Sequence, residues 1–108
     1  MELNEYQKEA LVTATFGEDV RIVYPTLGLN GEAGEVAEKV KKVIRDNNGD
    51  FSKEKCVEIA KELGDCAWYL AVLAHGIGYT LEEICEMNIA KLRSRQQRGM
   101  IHGNGDNR

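Results

Sequence analysis

Proline is almost absent from this chain, with one residue, Pro25, in 108. Long stretches are therefore open to helix, since an interior proline removes a backbone donor and breaks the run. Cysteine is scarce as well. Cys56, Cys66 and Cys85 make an odd count with no C-x-x-C pair, which argues against a disulfide framework and against a cysteine metal site. Each reads as a small, buried apolar residue in a reducing cytoplasm. No run approaches about 18 apolar residues, so no membrane span is expected. The polar N-terminus does not read as a signal peptide. Nor does positive charge dominate: 14 basic against 18 acidic residues give a net charge of −4. That balance disfavours a nucleic acid polymer as partner, but leaves room for a free nucleotide whose charge a metal neutralises.

What is present fits one globular all-α domain over residues 1–108, with a glycine-rich tail at 99–108. A first helix is expected over 4–16, capped by Asn4 and stopped by Gly17. A second runs from Pro25, suited to a first turn, to about Asp46. Asn47-Asn48-Gly49-Asp50 is a turn, after which Ser52 caps a third helix over about 53–75. Thr80-Leu81-Glu82-Glu83 is a capping box opening a fourth helix to about Gln97. The third helix is apolar nearly all round after Glu62, so a second subunit is expected to cover part of it.

Two stretches stand out, Glu32-Ala33-Gly34-Glu35 and Glu62-Leu63-Gly64-Asp65. Each puts two carboxylates three residues apart, on one helix face, and Glu58 lies one turn before Glu62. At ~100° per residue, Leu29, Ala33, Val36, Val40, Val43 and Ile44 fill one arc, and Glu32 and Glu35 border it. Half-buried carboxylates are therefore expected there. If the two helices pair antiparallel, an oxygen-only cluster forms that suits Mg²⁺, with Mn²⁺ as a substitute. Neither pair contains histidine, and His75 and His102 lie outside that register, so a di-iron carboxylate site is disfavoured. No EF-hand loop is present. Gly28, Gly31 and Gly34, three residues apart, suggest close approach of a helix or ligand.

Taken together, Gly28-Leu29-Asn30-Gly31-Glu32-Ala33-Gly34-Glu35-Val36 and Glu62-Leu63-Gly64-Asp65 resemble the MazG-like nucleoside triphosphate pyrophosphohydrolases, whose signature is E-x-x-E, a spacer, then E-x-x-D. Asn88 with Lys91, Leu92 and Arg95, followed by Gly103-Asn104-Gly105-Asp106, adds to the likeness. The resemblance implies long antiparallel helices that combine with a second subunit into four-helix bundles, as a dimer or tetramer. It implies Mg²⁺-dependent cleavage of a nucleoside triphosphate between the α and β phosphates, a housecleaning reaction on the nucleotide pool. Carried over by position, Glu32, Glu35, Glu62 and Asp65 would hold the metal. Glu35 or Glu38 is the expected general base. Lys91 and Arg95 read as phosphate clamps, while Asn88 and Tyr69 read as contacts to sugar or base. The competing expectation is a regulatory helical module that binds nucleotide or a partner protein without turnover.

Overall fold

The N-terminus of the last helix shows how this chain is tied together. In the computed structural model, which describes residues 1–108, α4 spans Leu81–Gln97 with Thr80 as N-cap. The expected capping box is complete: Glu83 N–H donates to Thr80 Oγ1 at 3.1 Å, and Thr80 N–H to Glu83 Oε1 at 2.8 Å. The two remaining first-turn donors go to α1 (Leu3–Val12). Leu81 N–H reaches Gln7 Oε1 at 3.1 Å and Glu82 N–H reaches Asn4 Oδ1 at 3.1 Å. Gln7, buried, also donates through Nε2 to the carbonyls of Ala71 at 3.0 Å and Tyr79 at 3.2 Å. One side chain thus joins three helices.

Asn4 was expected to cap its own helix. It caps α4 instead, and Glu2 holds the N-cap position of α1 without a side-chain bond. The first helix also ends at Val12, four residues before the expected end at residue 16. There, the Thr13 N–H and hydroxyl both turn back to the Ala10 carbonyl, at 3.1 and 3.0 Å. The Trp68 indole N–H donates to Thr13 Oγ1 at 2.8 Å. Phe16 is then drawn into an aromatic cluster, stacked on Tyr24 at 4.7 Å and edge-on to Trp68 at 6.5 Å. Aromatic pairing of this kind is worth about 0.5–1.5 kcal/mol beyond area burial, enough to outweigh one more turn of a short helix.

A 3₁₀ turn at Glu18–Val20 leads into the central hairpin of α2 (Val23–Asp46) and α3 (Lys53–Gly76). Each has 24 residues, or about 36 Å of length. Pro25 falls in the first turn of α2, as expected, although the helix begins two residues earlier. Asn48 (φ 54°) and Gly49 (φ 73°) supply the left-handed backbone of the connection, and Gly49 N–H closes on the Val43 carbonyl at 3.1 Å. Ser52 accepts from Lys55 N–H, as a cap should. Helix α2 packs on α3, while α1 and α4 pack on the C-terminal half of α3 around Ala10, Ala71, Val72 and Leu81.

The core is thin. Only 9 of 108 residues are buried, while Leu27, Ile44, Leu63, Leu70, Met87 and Ile89 are exposed. The accessible surface is 7848 Å², against about 6,000 Å² for a folded monomer of this mass. The radius of gyration is 16.7 Å, against about 13 Å for a compact chain of this length. No helix is long and apolar enough to cross a membrane.

Because Gln7 satisfies a buried N–H of α4 that has no other acceptor, Gln7→Leu should lower unfolding free energy by about 2–3 kcal/mol in urea denaturation. A loss below about 0.5 kcal/mol, the level of an ordinary surface substitution, would show that Gln7 is not the tie described.

Candidate metal centre on the central hairpin

The hairpin register sets the acidic residues. Near the open end, Gly28 of α2 faces Tyr69 of α3, and a Cβ at Gly28 would run into the Tyr69 ring. Only glycine lets the two helices approach with that ring between them. Gly31 and Gly34 have no neighbour within 4 Å of where a Cβ would stand. Of the three glycines expected to mark close packing, one does so within the chain.

One turn along from Gly28, Glu32 meets the second acidic pair. Ligand oxygens of Glu32, Glu62 and Asp65 lie within 4.8 Å of one another. Glu32 and Glu62 are half-buried and Asp65 is exposed. None of the three is ion-paired with a lysine or arginine; the five ion pairs of the chain lie elsewhere. Uncompensated negative charge shows in the neighbours. Glu32 has its pKa pushed up by partial burial, then by a hydrogen bond with Glu62, then by the charges of Asp65, Glu62 and Glu35. Burial, followed by the charges of Glu32, Asp65 and Glu62, raises the Cys66 thiol. Tyr6 is raised by burial and then by Asp65.

Such a set of hard oxygen donors with no cation of its own fits a divalent ion that prefers oxygen, such as Mg²⁺ or Mn²⁺. Tyr69 and Trp68 stand beside it, edge to face at 4.9 Å. With Glu32 and Asp65 they line a cavity of about 300 Å³. Tyr69 is raised by burial first, then by Tyr24, Glu32 and Asp65, so its ring and hydroxyl belong to this acidic site.

The other expected site residues are placed differently. Glu35 is exposed and outside the three-donor set, near enough for its charge to act on Glu32. Half-burial therefore holds for Glu32 and not for Glu35. Glu58 is also exposed. Glu38 is paired with Lys41 at 2.8 Å, and that bond holds its carboxyl below the usual range. Asn88 and Lys91 line a separate cavity of about 390 Å³ with Ile84, Met87, Asp106 and Asn107. Arg95 is buried beneath the C-terminal turn, with Nη2 on the Asp106 carbonyl. No cavity of the single chain contains both the acidic set and the basic pair.

The family model of the MazG nucleotide pyrophosphohydrolase domain matches residues 25–100. The chain belongs to the MazG family. The matched span holds Glu32, Glu35, Glu62 and Asp65 together with Asn88, Lys91 and Arg95, and stops short of Asp106. A relative, the Gene 37 protein of Mycobacterium phage L5, is 48% identical over 85 residues, covering 79% of this chain and 75% of that protein. No solved structure matches. An all-helical chain with four α-helices is the architecture expected of a MazG domain.

The sequence suggests a glycine tail folding over a site with Asp106 and Arg108 contributing, but it does not mark Asp106 as the partner of Lys91 and Arg95. The available signal was an acid in a glycine-rich tail after a basic stripe. Cys56, expected to be buried, is exposed with its thiol on the Phe51 carbonyl at 3.6 Å. It lies in the first turn of α3, beyond the reach of the core.

A carboxyl with a raised folded-state pKa adds stability below its ordinary value, and that stability is lost as pH rises through the raised one. The metal-free protein should therefore weaken as pH rises above the ordinary carboxylate range, as Glu32 ionises against Glu62 and Asp65. Glu38, Asp46 and Asp106 are lowered by cationic neighbours and act with the opposite sign, at the acid end. Urea midpoints measured in chelator should fall as pH rises above the ordinary carboxylate range, and Glu32→Gln should flatten the decline. A Glu32→Gln profile identical to the parent's would show that Glu32 is not the titrating group.

Proposed function

We propose that this MazG domain hydrolyses nucleoside triphosphates between the α and β phosphates, giving the monophosphate and pyrophosphate. The observation that carries this reading is the convergence of Glu32, Glu62 and Asp65 without a counter-cation. Those three would hold Mg²⁺, or Mn²⁺ in its place, with Glu35 next to them along α2. When bound, the ion would offset the charge of carboxylates and polyphosphate and lower the pKa of a water.

The chain's own groups have separable tasks. Glu35 is the better candidate for the base, since Glu38 already shares its oxygens with Lys41 and is the weaker base for it. Glu35 would take a proton from the attacking water as the water oxygen bonds to the α-phosphorus. The α–β bridging bond breaks, and its electron pair leaves on pyrophosphate. Tyr69, with Trp68 against it, offers an aromatic wall for sugar or base. Lys91 and Arg95 are phosphate-binding groups, with Asn88 beside them for sugar or base.

A homo-oligomer, dimer or tetramer, belongs to the same proposal. The excess surface and the exposed Leu27, Leu63, Leu70 and Ile89 support it, since a large apolar patch on a soluble protein marks an interface. So does the separation of the basic pair from the acidic set in one chain. Free thiols at all three cysteines are in keeping with action in the cytoplasm on the nucleotide pool.

Glu62→Ala and Asp65→Ala should each abolish Mg²⁺-dependent pyrophosphate release from a panel of triphosphates, while circular dichroism shows the helices retained. Turnover surviving in both variants would overturn the site. A protein that binds triphosphates, seen as a rise in melting temperature, but yields no monophosphate would be the non-catalytic module. Sedimentation at micromolar concentration giving a 12.1 kDa species would remove the oligomer.

A further inference from the structure

Lys91 and Arg95 stand one turn apart on α4, a spacing at which like charges repel. The C-terminal segment relieves this by folding back. Asp106 Oδ1 accepts from Lys91 Nζ at 3.0 Å and from Arg95 Nη2 at 3.4 Å, and the Asp106 carbonyl accepts from the same Nη2. The fit is incomplete. Arg95 has 5% of its side chain exposed, and its Nε is buried with no acceptor.

Nε and Nη2 form one edge of a guanidinium and ordinarily bind an oxyanion together. Arg45 shows the complete arrangement in this chain, with Nε and Nη2 each 2.7 Å from one oxygen of Asp46. At Arg95 only half of that edge is used. A phosphate group, with oxygens enough to span both donors and to reach Lys91, would satisfy all three. A cavity of about 390 Å³ lined by Asn88, Lys91, Asp106 and Asn107 opens on the Lys91 side.

We infer that Asp106 is an internal stand-in for a phosphate group at Lys91 and Arg95, which a polyphosphate displaces by lifting the C-terminal turn. The inference rests on the reading of Lys91 and Arg95 as phosphate-binding groups. Asp106 is suited to leave. Its side chain is 81% exposed, and ion pairs to so exposed a carboxylate are weak. The turn itself is held by exposed hydrogen bonds, from Arg108 to the carbonyls of Met100, Ile101 and Gly105 and from Arg98 to that of Arg108. Few buried contacts and exposed hydrogen bonds make such a segment a low-cost one to open. Gly99 (φ 70°) opens the segment and Gly105 (φ 80°) precedes Asp106, both with left-handed backbone.

The test uses inorganic pyrophosphate and the full chain in chelator, which separates this site from any metal bound on the hairpin. Asp106→Asn and Asp106→Ala should bind pyrophosphate roughly 5-fold more tightly than the parent by calorimetry. Amide exchange over residues 100–108 of the parent should quicken when pyrophosphate is added. Unchanged or weaker binding in both Asp106 variants would overturn the inference and make Asp106 a positioning group for the two cations. Lys91→Ala and Arg95→Lys distinguish the underlying reading: both should weaken pyrophosphate binding. Parent-like affinity in both would remove the phosphate-binding assignment itself, and the inference with it.

Discussion

Three carboxylates held within 4.8 Å of one another are a local cost, and the central hairpin is what sustains it. Their repulsion would be relieved by sliding α3 along α2 or by swinging the side chains outward. Sliding is resisted at both ends. The Asn48-Gly49 turn joins the helices at one end, and the Tyr69 ring fills the space that Gly28 leaves at the other. Burial and the Glu62 oxygen raise the pKa of Glu32, so a proton, which would relieve part of that repulsion, is held there to higher pH than on a free carboxylate. Ligands that already stand together in this way would take a divalent ion with less reorganisation than a relaxed surface.

The rest of the chain has less to hold it. Helices α1 and α4 meet α3 around four small or medium apolar residues and a few half-buried ones, with the hydrogen bonds of Gln7 and Trp68, while Asn4 ties α1 to α4. Polar ties of that kind are directional. They set the angle at which α4 leaves the hairpin without burying much surface, and the apolar faces of α2, α3 and α4 stay open to a partner. The rigid element therefore carries the acids, and the loosely anchored one carries the cations.

The features legible in the sequence are those whose causes lie within a few residues. Ser52, the Thr80–Glu83 box and the Asn47–Asp50 turn stand as expected because each is closed by its own neighbours. The acidic pairs were legible as a register, since three-residue spacing and an antiparallel hairpin suffice to bring Glu32 to Glu62 and Asp65. Glu35 was not separable from Glu32 by that reasoning, as both border the same apolar arc. Which of them turns inward depends on the other helix. Long-range causes were hidden. The partners of Gln7 lie 64 to 74 residues away, and nothing in the periodicity of α1 marks a glutamine as a three-helix tie. The early end of α1 likewise follows from Trp68, 55 residues on. The glycine stripe was half legible: its spacing announced close approach, but only Gly28 has a neighbour to approach.

Opposite deficits of charge link the two halves of the proposed site. The hairpin gathers negative groups with no cation. Helix α4 gathers two cations that share one exposed carboxylate and leave a buried guanidinium N–H without an acceptor. The acids could have been neutralised locally, for Lys39, Lys42 and Lys61 lie on the same two helices. Those lysines do not pair with them. Under the proposed function, a polyphosphate carrying a divalent ion would supply what both places lack, the ion to the acids and the phosphate oxygens to Lys91 and Arg95. Selectivity for such a ligand would then come from meeting both deficits at once, since a bare metal does nothing for α4 and a metal-free polyphosphate would engage only Lys91 and Arg95.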